Sequence, residues 1–160
     1  MKLVALTLLA LVPLAPITTR GTPKPAQAAP PKVTSLLMFE GQAEEALELY
    51  VSLLPGSKIE SLERYGPGEP GAEGSVKLAT VSLAGSCYLF IDSNVKHPFT
   101  FTPSISLFVT CADEAEIDAL SAKLSEDGKV FMPLGSYGFS KKFAWVADRF
   151  GVSWQLTLPN

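Results

Sequence analysis

The most constraining feature of this sequence is a repeat at nearly fixed offset within one chain of 160 residues. Residues 77–82 (KLATVS) resemble residues 142–147 (KFAWVA), 65 positions later. Residues 85–90 (GSCYLF) resemble residues 151–156 (GVSWQL), 66 positions later. Self-similarity at a fixed offset is typical of duplicated supersecondary units. The sequence therefore predicts two copies of one structural motif.

A helical segment repeats as well, because Leu49 and Leu53 lie 71 positions before Leu120 and Leu124 on the apolar faces of two predicted helices. Around each helix, short runs of aromatic and β-branched residues bounded by Gly, Pro and Asp predict strands. Each copy has the predicted order strand, helix, strand, strand, strand. The predicted fold class is α+β, with two βαβββ modules forming a curved mixed sheet. Helices would cover the outside of this cup and leave its concave face free for a ligand.

The first residues have the pattern of a cleavable export signal. Lys2 precedes an apolar run over residues 3–14, and residues 26–28 (AQA) fit the small-residue pattern before a cleavage site. We predict a signal peptide at residues 1–28, cleaved after Ala28, and hence a secreted or periplasmic protein. The alternative is a mis-assigned start codon ahead of a cytoplasmic protein. The apolar run is too short for a stable membrane span.

The predicted signal peptide is followed by a Pro- and Ala-rich linker at residues 29–32, and then by one domain at residues 33–158. Its modules would comprise residues 33–92 and 103–158. With 47% hydrophobic and 18% charged residues, the composition suits one domain with a real core. A net charge of −3 without basic clusters argues against nucleic acid as a partner.

The chain contains two cysteines, Cys87 and Cys111, and each lies in a strand-like run. They form no zinc-binding pattern and no disulfide framework. The usual interpretation of such a cysteine is a buried free thiol. A bridge between them stays open as the alternative in an oxidising compartment.

Two segments, YGFSKKFAWVADRFGVSWQL and LLMFEGQAEEALELYVSLLP, closely resemble the PhnB-like branch of the vicinal oxygen chelate superfamily. This is the glyoxalase, bleomycin-resistance and extradiol dioxygenase group, and members of the branch are often catalogued under a demethylubiquinone methyltransferase domain name. The resemblance extends over residues 33–158. It implies the cup-shaped fold predicted above, a small-molecule ligand and a homodimer.

Enzymes of this superfamily hold a metal through His or Glu on the first and last strands of each module. The resemblance places these positions at Thr34, Leu89, Ser104 and Gln155, the first-strand positions to within one or two residues. Leu89 cannot ligate a metal, and neutral oxygens bind divalent transition metals poorly. We therefore expect no metal site of the usual kind and no cofactor, with a divalent metal kept open as an alternative.

Aromatic residues are further candidates for the lining or rim of the cup. They are Phe90, Trp145, Tyr137 and Phe139, each with the hydrophobic core as its alternative place. The sequence does not identify catalytic residues.

Two functions remain in play at this point. The first is an exported small-molecule binding protein that works without a metal. The second is an enzyme of the lyase, isomerase or dioxygenase class, using non-standard ligands or acid–base groups such as Asp92, Glu40 and His97. Both carboxylates meeting His97 in one pocket would favour the enzyme. An aliphatic and aromatic pocket around Gln155 would favour the binding protein.

Two other interpretations are weaker. An interaction module would fill the cup with its own side chains. The methyltransferase name finds no support in a cofactor motif, because no predicted strand leads into a G-x-G turn that opens a helix.

Overall fold

The structure is a computed structural model that describes residues 32–160, so the predicted signal peptide and most of the predicted linker lie outside the described residues. In chain order the elements are β1 (Ser35–Phe39), α1 (Ala43–Leu53), β2 (Lys58–Arg64), β3 (Val76–Leu83), β4 (Ser86–Asp92), β5 (Leu107–Thr110), α2 (Glu114–Ser125), β6 (Lys129–Gly135), β7 (Lys142–Ala147) and β8 (Ser153–Leu158). The predicted strand and helix order occurs twice. Within residues 32–160, no helix is long and apolar enough to cross a membrane.

The strands form two four-stranded mixed sheets of the same topology, β1-β4-β3-β2 and β5-β8-β7-β6. In each module the first strand runs parallel to the last, and the remaining neighbours are antiparallel. Leu36 lies opposite Leu89 in the first sheet, and Phe108 lies opposite Gln155 in the second. This equivalence confirms the predicted duplication and the α+β fold class.

One face of each sheet is buried in the core. Phe90 is 0% exposed, with its ring 5.6 Å from that of Phe39 and 6.0 Å from that of Tyr50 in α1. Trp154 and Leu156 of the second sheet belong to the same core cluster, together with the apolar residues of α2. The core side of both sheets is therefore the side that the helices cover.

Side chains alternate along a strand, so the neighbours of these core residues point away from the helices. We call these opposite surfaces the open faces of the sheets. The first open face carries Leu36, Met38, Thr80, Leu89 and Ile91, and the second carries Phe108, Phe143, Trp145, Ser153, Gln155 and Thr157. Of the two places that the sequence left open for Phe90, the structure shows the core, because one step along β4 from Leu89 turns its ring to the helix side.

Asp148, in the turn between β7 and β8, connects the two modules. Its buried carboxylate accepts hydrogen bonds from the Tyr50 hydroxyl at 2.5 Å and from the Trp154 indole at 2.8 Å. The backbone amides of Phe150 and Val152 donate to it at 2.9 and 3.0 Å. Burial raises the pKa of the Asp148 carboxyl, although these hydrogen bonds act in the opposite direction. Burial and the neighbouring Asp148 also raise the pKa of the Tyr50 hydroxyl.

The start of α1 is held by a residue from the far end of its module. Asp92 accepts hydrogen bonds from the backbone amides of Gly41 and Ala43 at 2.7 and 3.0 Å, and from Val76 at 2.9 Å. The local residue Gln42 makes no side-chain cap. Asp92 thus satisfies amides that the first turn of a helix leaves without intrahelical partners.

The two cysteines are free thiols, as the sequence predicts for unpaired strand residues, and they differ in burial. Cys111 is 3% exposed, whereas Cys87 is half-buried on β4. Burial, with Glu116 and Asp113 nearby, raises the pKa of the Cys111 thiol to about 11.

We expect iodoacetamide to alkylate Cys87 of the native protein at least about tenfold faster than Cys111, because the thiolate is the reactive form and Cys111 is both buried and protonated. Peptide mass spectrometry after timed quenching at pH 8 measures both rates. Unfolded protein is the control, since the two rates should then converge. Equal rates in the native protein would contradict the described burial.

Candidate functional site

A chain of polar side chains crosses the second open face. The Gln155 side chain donates from Nε2 to Ser106 Oγ at 3.2 Å, and the hydroxyls of Ser106 and Ser153 share a hydrogen bond of 2.8 Å. The Trp145 indole donates to Ser153 Oγ at 2.9 Å. The bond to Ser106 is the only hydrogen bond that the Gln155 side chain makes within residues 32–160. The Oε1 atom and the second N–H of Gln155 therefore remain for a ligand.

Aromatic rings flank this polar chain. The ring of Phe131 in β6 lies 5.1 Å from that of the half-buried Trp145. Phe108 stands opposite Gln155 in β5 and is 61% exposed. Rings beside one amide provide an apolar surface with a directional hydrogen-bonding group, which is the usual composition of a site for a small organic molecule.

The predicted rim residues lie beside this surface, in the loop between β6 and β7. Tyr137 and Phe139 stack with ring centroids 6.0 Å apart, and Phe139 meets Phe143 of the open face edge-on at 5.2 Å. The Tyr137 hydroxyl donates to the carbonyl of Pro133 at 2.8 Å. Both rings are exposed on their outer side, so they extend the aromatic surface outward from Phe143.

The first open face is aliphatic by comparison. Leu89 lies there as predicted from the alternation, half-buried and in register with Leu36, which is 49% exposed. Thr80 on the other side of Leu89 is its only polar neighbour in register within the described sheet. The equivalent positions of the two modules therefore carry different side chains, the aliphatic Leu89 in the first sheet and the polar Gln155 in the second.

The structure corrects the position predicted in the first strand of the second module. Thr34 directly precedes β1, as expected, and its equivalent by strand pairing is Ser106. Ser104 lies in a turn, exposed, and shares a 2.6 Å hydrogen bond with Thr102. Ser106 lies two residues after Ser104, at the limit of the predicted range, because β5 begins only at Leu107.

The four positions do not fit the divalent metal of the superfamily enzymes. Leu89 has no donor atom, while Ser106 and Gln155 are neutral and hydrogen-bonded to each other. In the part of the chain that the structure describes, no three His, Cys, Asp or Glu residues are grouped as metal ligands. Ser106 and Gln155 supply hydrogen-bonding groups to the second open face.

The acid–base candidates come together only in part. Glu40 and His97 meet in a cleft beside β1, where Glu40 Oε1 accepts the backbone N–H of His97 at 3.0 Å. Ser93 Oγ lies 2.8 Å from Nε2 of the His97 ring. Asp92 does not join them, because both of its carboxylate oxygens bind backbone amides. The two-carboxylate arrangement that would favour an enzyme is therefore not formed.

Residues 31–157 match the family described as 3-demethylubiquinone-9 3-methyltransferase. The chain belongs to this PhnB-like family. No curated protein matches the chain. The sequence prediction of this branch is thereby confirmed.

Two solved structures are similar to this PhnB-like chain over most of its length. A protein from Bacillus cereus, described as a putative 3-demethylubiquinone-9 3-methyltransferase and PhnB protein, is 56% identical, with a TM-score of 0.79 over 80% of this chain and 99% of its own. Protein PA1353 from Pseudomonas aeruginosa is 26% identical, with a TM-score of 0.70 over 79% of this chain and 96% of its own.

A more distant similarity concerns the fold alone. A mutant of the fosfomycin resistance protein FosX from Listeria monocytogenes, complexed with Mn(II) and a dihydroxypropylphosphonic acid, is 9% identical. Its TM-score is 0.52 over 79% of this chain and 90% of its own. The PhnB-like chain thus shares its fold with a protein that is described in complex with Mn(II).

Proposed function

We propose that this PhnB-like protein binds a small, flat organic molecule on its second open face, around Gln155, without a metal. The observation that carries the proposal is the free amide edge of Gln155 beside the rings of Trp145 and Phe108. An amide offers one acceptor and one donor to a ligand, and the rings offer area for stacking. A ligand with a planar ring and an amide or carboxamide group matches both features.

Metal-independent binding follows from the side chains that stand at the superfamily positions. FosX is described with Mn(II), and a divalent transition metal needs anionic or imidazole ligands for tight binding. Here Ser106, Gln155 and Leu89 occupy the corresponding places. We therefore propose a role in sequestration or transport of the ligand rather than metal-assisted catalysis.

The methyltransferase name of the family would require a site for a nucleotide-type cofactor, and the two places considered for it do not provide one. The glycine-rich stretch at residues 66–74 connects the strands β2 and β3, so no helix N-terminus follows it to hold a phosphate or a nucleotide. The first amides of α1 already bind the carboxylate of Asp92. Neither place resembles a nucleotide-type cofactor site.

Export and dimer formation are parts of the same proposal. The pattern of residues 1–28 supports cleavage after Ala28 and secretion or periplasmic delivery, followed by the linker 29–32.

Large apolar side chains on the open faces remain exposed in one chain, with Leu36 at 49% and Phe108 at 61%. Pairing of two chains would cover this apolar surface and enclose the ligand.

Native mass spectrometry of the full-length gene product, recovered after expression in a bacterium, tests these parts together. We expect a chain starting at Ala29, two chains per particle, no tightly bound divalent ion, and an organic ligand that copurifies. An uncleaved chain would contradict export, and a monomer at micromolar concentration would contradict the dimer. One firmly bound divalent ion per chain would instead favour the enzyme.

Replacing Gln155 by leucine tests the binding surface itself. With benzamide as the probe, we expect the dissociation constant to rise roughly fivefold, because one hydrogen bond contributes about 1 kcal/mol net. Quenching of tryptophan fluorescence measures the binding, since Trp145 lies beside Gln155. Thr80→Val, which removes a polar group from the other open face, is the matched control and should leave the constant unchanged. An equal effect of both variants, or no binding of benzamide, would contradict the proposed surface.

A further inference from the structure

We propose that the cleft beside β1 is a second binding site, which takes a small organic cation, namely a protonated amine on an aromatic or aliphatic body. The cleft has a volume of about 540 Å³, within the range of small-molecule sites. Its walls come from β1, the turn after it, the segment between the modules and the β7–β8 turn. Gln155 and Trp145 do not line it, so this proposal stands independently of the surface around Gln155.

Aromatic rings form most of the apolar wall. Phe101 packs against Phe39 with ring centroids 5.0 Å apart, and Phe150 meets Phe39 edge-on at 6.4 Å. Phe99 stacks on the His97 ring at 4.7 Å and remains 60% exposed. Phe39 and Phe150 are buried in the core, so the floor of the cleft is firmly placed, whereas Phe99 presents a free ring at the entrance.

The polar side chains that line the cleft are Glu40, Gln42, His97 and Thr100. Glu40 uses one carboxylate oxygen for the backbone N–H of His97, and its second oxygen has no hydrogen-bond partner within residues 32–160. No lysine or arginine is among the residues that line the cleft. Arg149 stacks on the Phe150 ring at 4.7 Å and Lys96 lines the neighbouring cavity, but neither forms an ion pair with Glu40 in the described chain.

An anion would find little to bind here. The start of α1 lies next to Glu40, and a helix N-terminus ordinarily attracts anions. The carboxylate of Asp92 already accepts the amides of Gly41 and Ala43 at this terminus. Glu40 is the only Asp, Glu, Lys or Arg among the residues that line the cleft.

A carboxylate in a cleft that also presents an aromatic ring is a combination that recognises an ammonium group. The carboxylate of Glu40 supplies a charge-assisted hydrogen bond, and the exposed ring of Phe99 attracts the cation through its quadrupole. The apolar body of the same molecule would cover Met38 and Leu36, which also line the cleft. This chemistry differs from that of the Gln155 surface, where the available group is neutral.

The test uses 2-phenylethylamine as the probe and 2-phenylethanol as its uncharged analogue. Titration of the isotope-labelled mature protein, followed by amide chemical shifts, locates and quantifies the binding of each. We expect the amine to bind about tenfold more tightly than the alcohol, a difference typical of one charge-assisted contact. The shifted amides should be those of His97, Phe99, Thr100 and Phe101, since Pro98 has no N–H, and not those of β8.

Two variants separate the contributions of the cleft. Glu40→Gln should weaken the amine about tenfold and leave the alcohol unchanged, since only the charge is removed. Phe99→Ala should weaken both probes, because an exposed ring is lost without disturbing the core. Glu45→Gln, which removes an exposed charge of α1 outside the cleft, is the matched control and should change neither.

Equal affinities for amine and alcohol would overturn the proposal, as would equal effects of the Glu40 and Glu45 substitutions. Chemical-shift changes confined to the amides of β8 would also overturn the proposal, since the probe would then occupy the surface around Gln155. Loss of benzamide binding in Gln155→Leu together with retained amine binding would show that the two sites are independent.

Discussion

Replacing Asp148 by alanine is expected to lower the free energy of unfolding by about 3–4 kcal/mol, because four buried donors lose their common acceptor. The donors are the Tyr50 hydroxyl, the Trp154 indole and the backbone amides of Phe150 and Val152. Tyr50 belongs to the first module and Trp154 to the second, so the substitution also weakens the contact between modules. We expect Asp148→Asn to cost less, because one acceptor oxygen remains.

Urea denaturation followed by circular dichroism measures this loss as a lower transition midpoint at unchanged slope. Asp118→Ala is the matched control, because Asp118 is exposed and pairs with Lys142 on the surface. The control should leave the midpoint nearly unchanged, since surface ion pairs contribute little. A midpoint for Asp148→Ala that equals that of the control would show that Asp148 does not hold the modules together.

The second large effect concerns two adjacent residues of β4. Phe90→Ala should lower the free energy of unfolding by about 3–5 kcal/mol, the usual cost of removing a buried aromatic ring. Leu89→Ala should cost no more than about 1–1.5 kcal/mol, because the Leu89 side chain is half-buried on the open face. The difference tests directly which face of the first sheet is the core.

The same urea titration measures both variants. Leu89→Ala serves as the control for Phe90→Ala, since the strand and the new residue are the same while the two side chains face opposite sides of the sheet. Comparable losses for the two variants would mean that both faces of β4 are buried, which would contradict an open first face. A larger loss at Leu89 would reverse the assignment of the faces.

Strand and helix positions were largely predictable, because they depend on local periodicity. Side-chain alternation along β8 puts Trp154 on the face opposite Gln155, and Trp154 is 1% exposed. Asp113 directly precedes α2, where aspartate favours a helix cap, and it accepts the Glu116 amide at 2.9 Å. The start of β5 was not predictable, because an apolar run that begins at a proline does not show where strand pairing begins.

The sequence predicted which types of side chain stand at the candidate site. It did not predict which of those side chains contact one another. The repeat indicated Gln155 and Leu89 as equivalent positions, and the structure places both on open faces. Ser106, which accepts the hydrogen bond of Gln155, lies at the limit of the predicted range around Ser104 and was not singled out. Only the strand pairing in the structure identifies Ser106 as the equivalent of Thr34.

The sequence by itself determined the duplicated βαβββ order, the family and which side of most strands faces the core. These properties depend on the spacing of residues that are close together in the sequence. Only the tertiary structure decided what Asp148, Asp92 and Glu40 do. Asp148 binds a hydroxyl 98 residues away, Asp92 binds amides 51 and 49 residues away, and Glu40 binds an amide 57 residues away. Such partners become neighbours only when the two modules and the segment between them pack together, and no local pattern specifies which carboxylate will be buried.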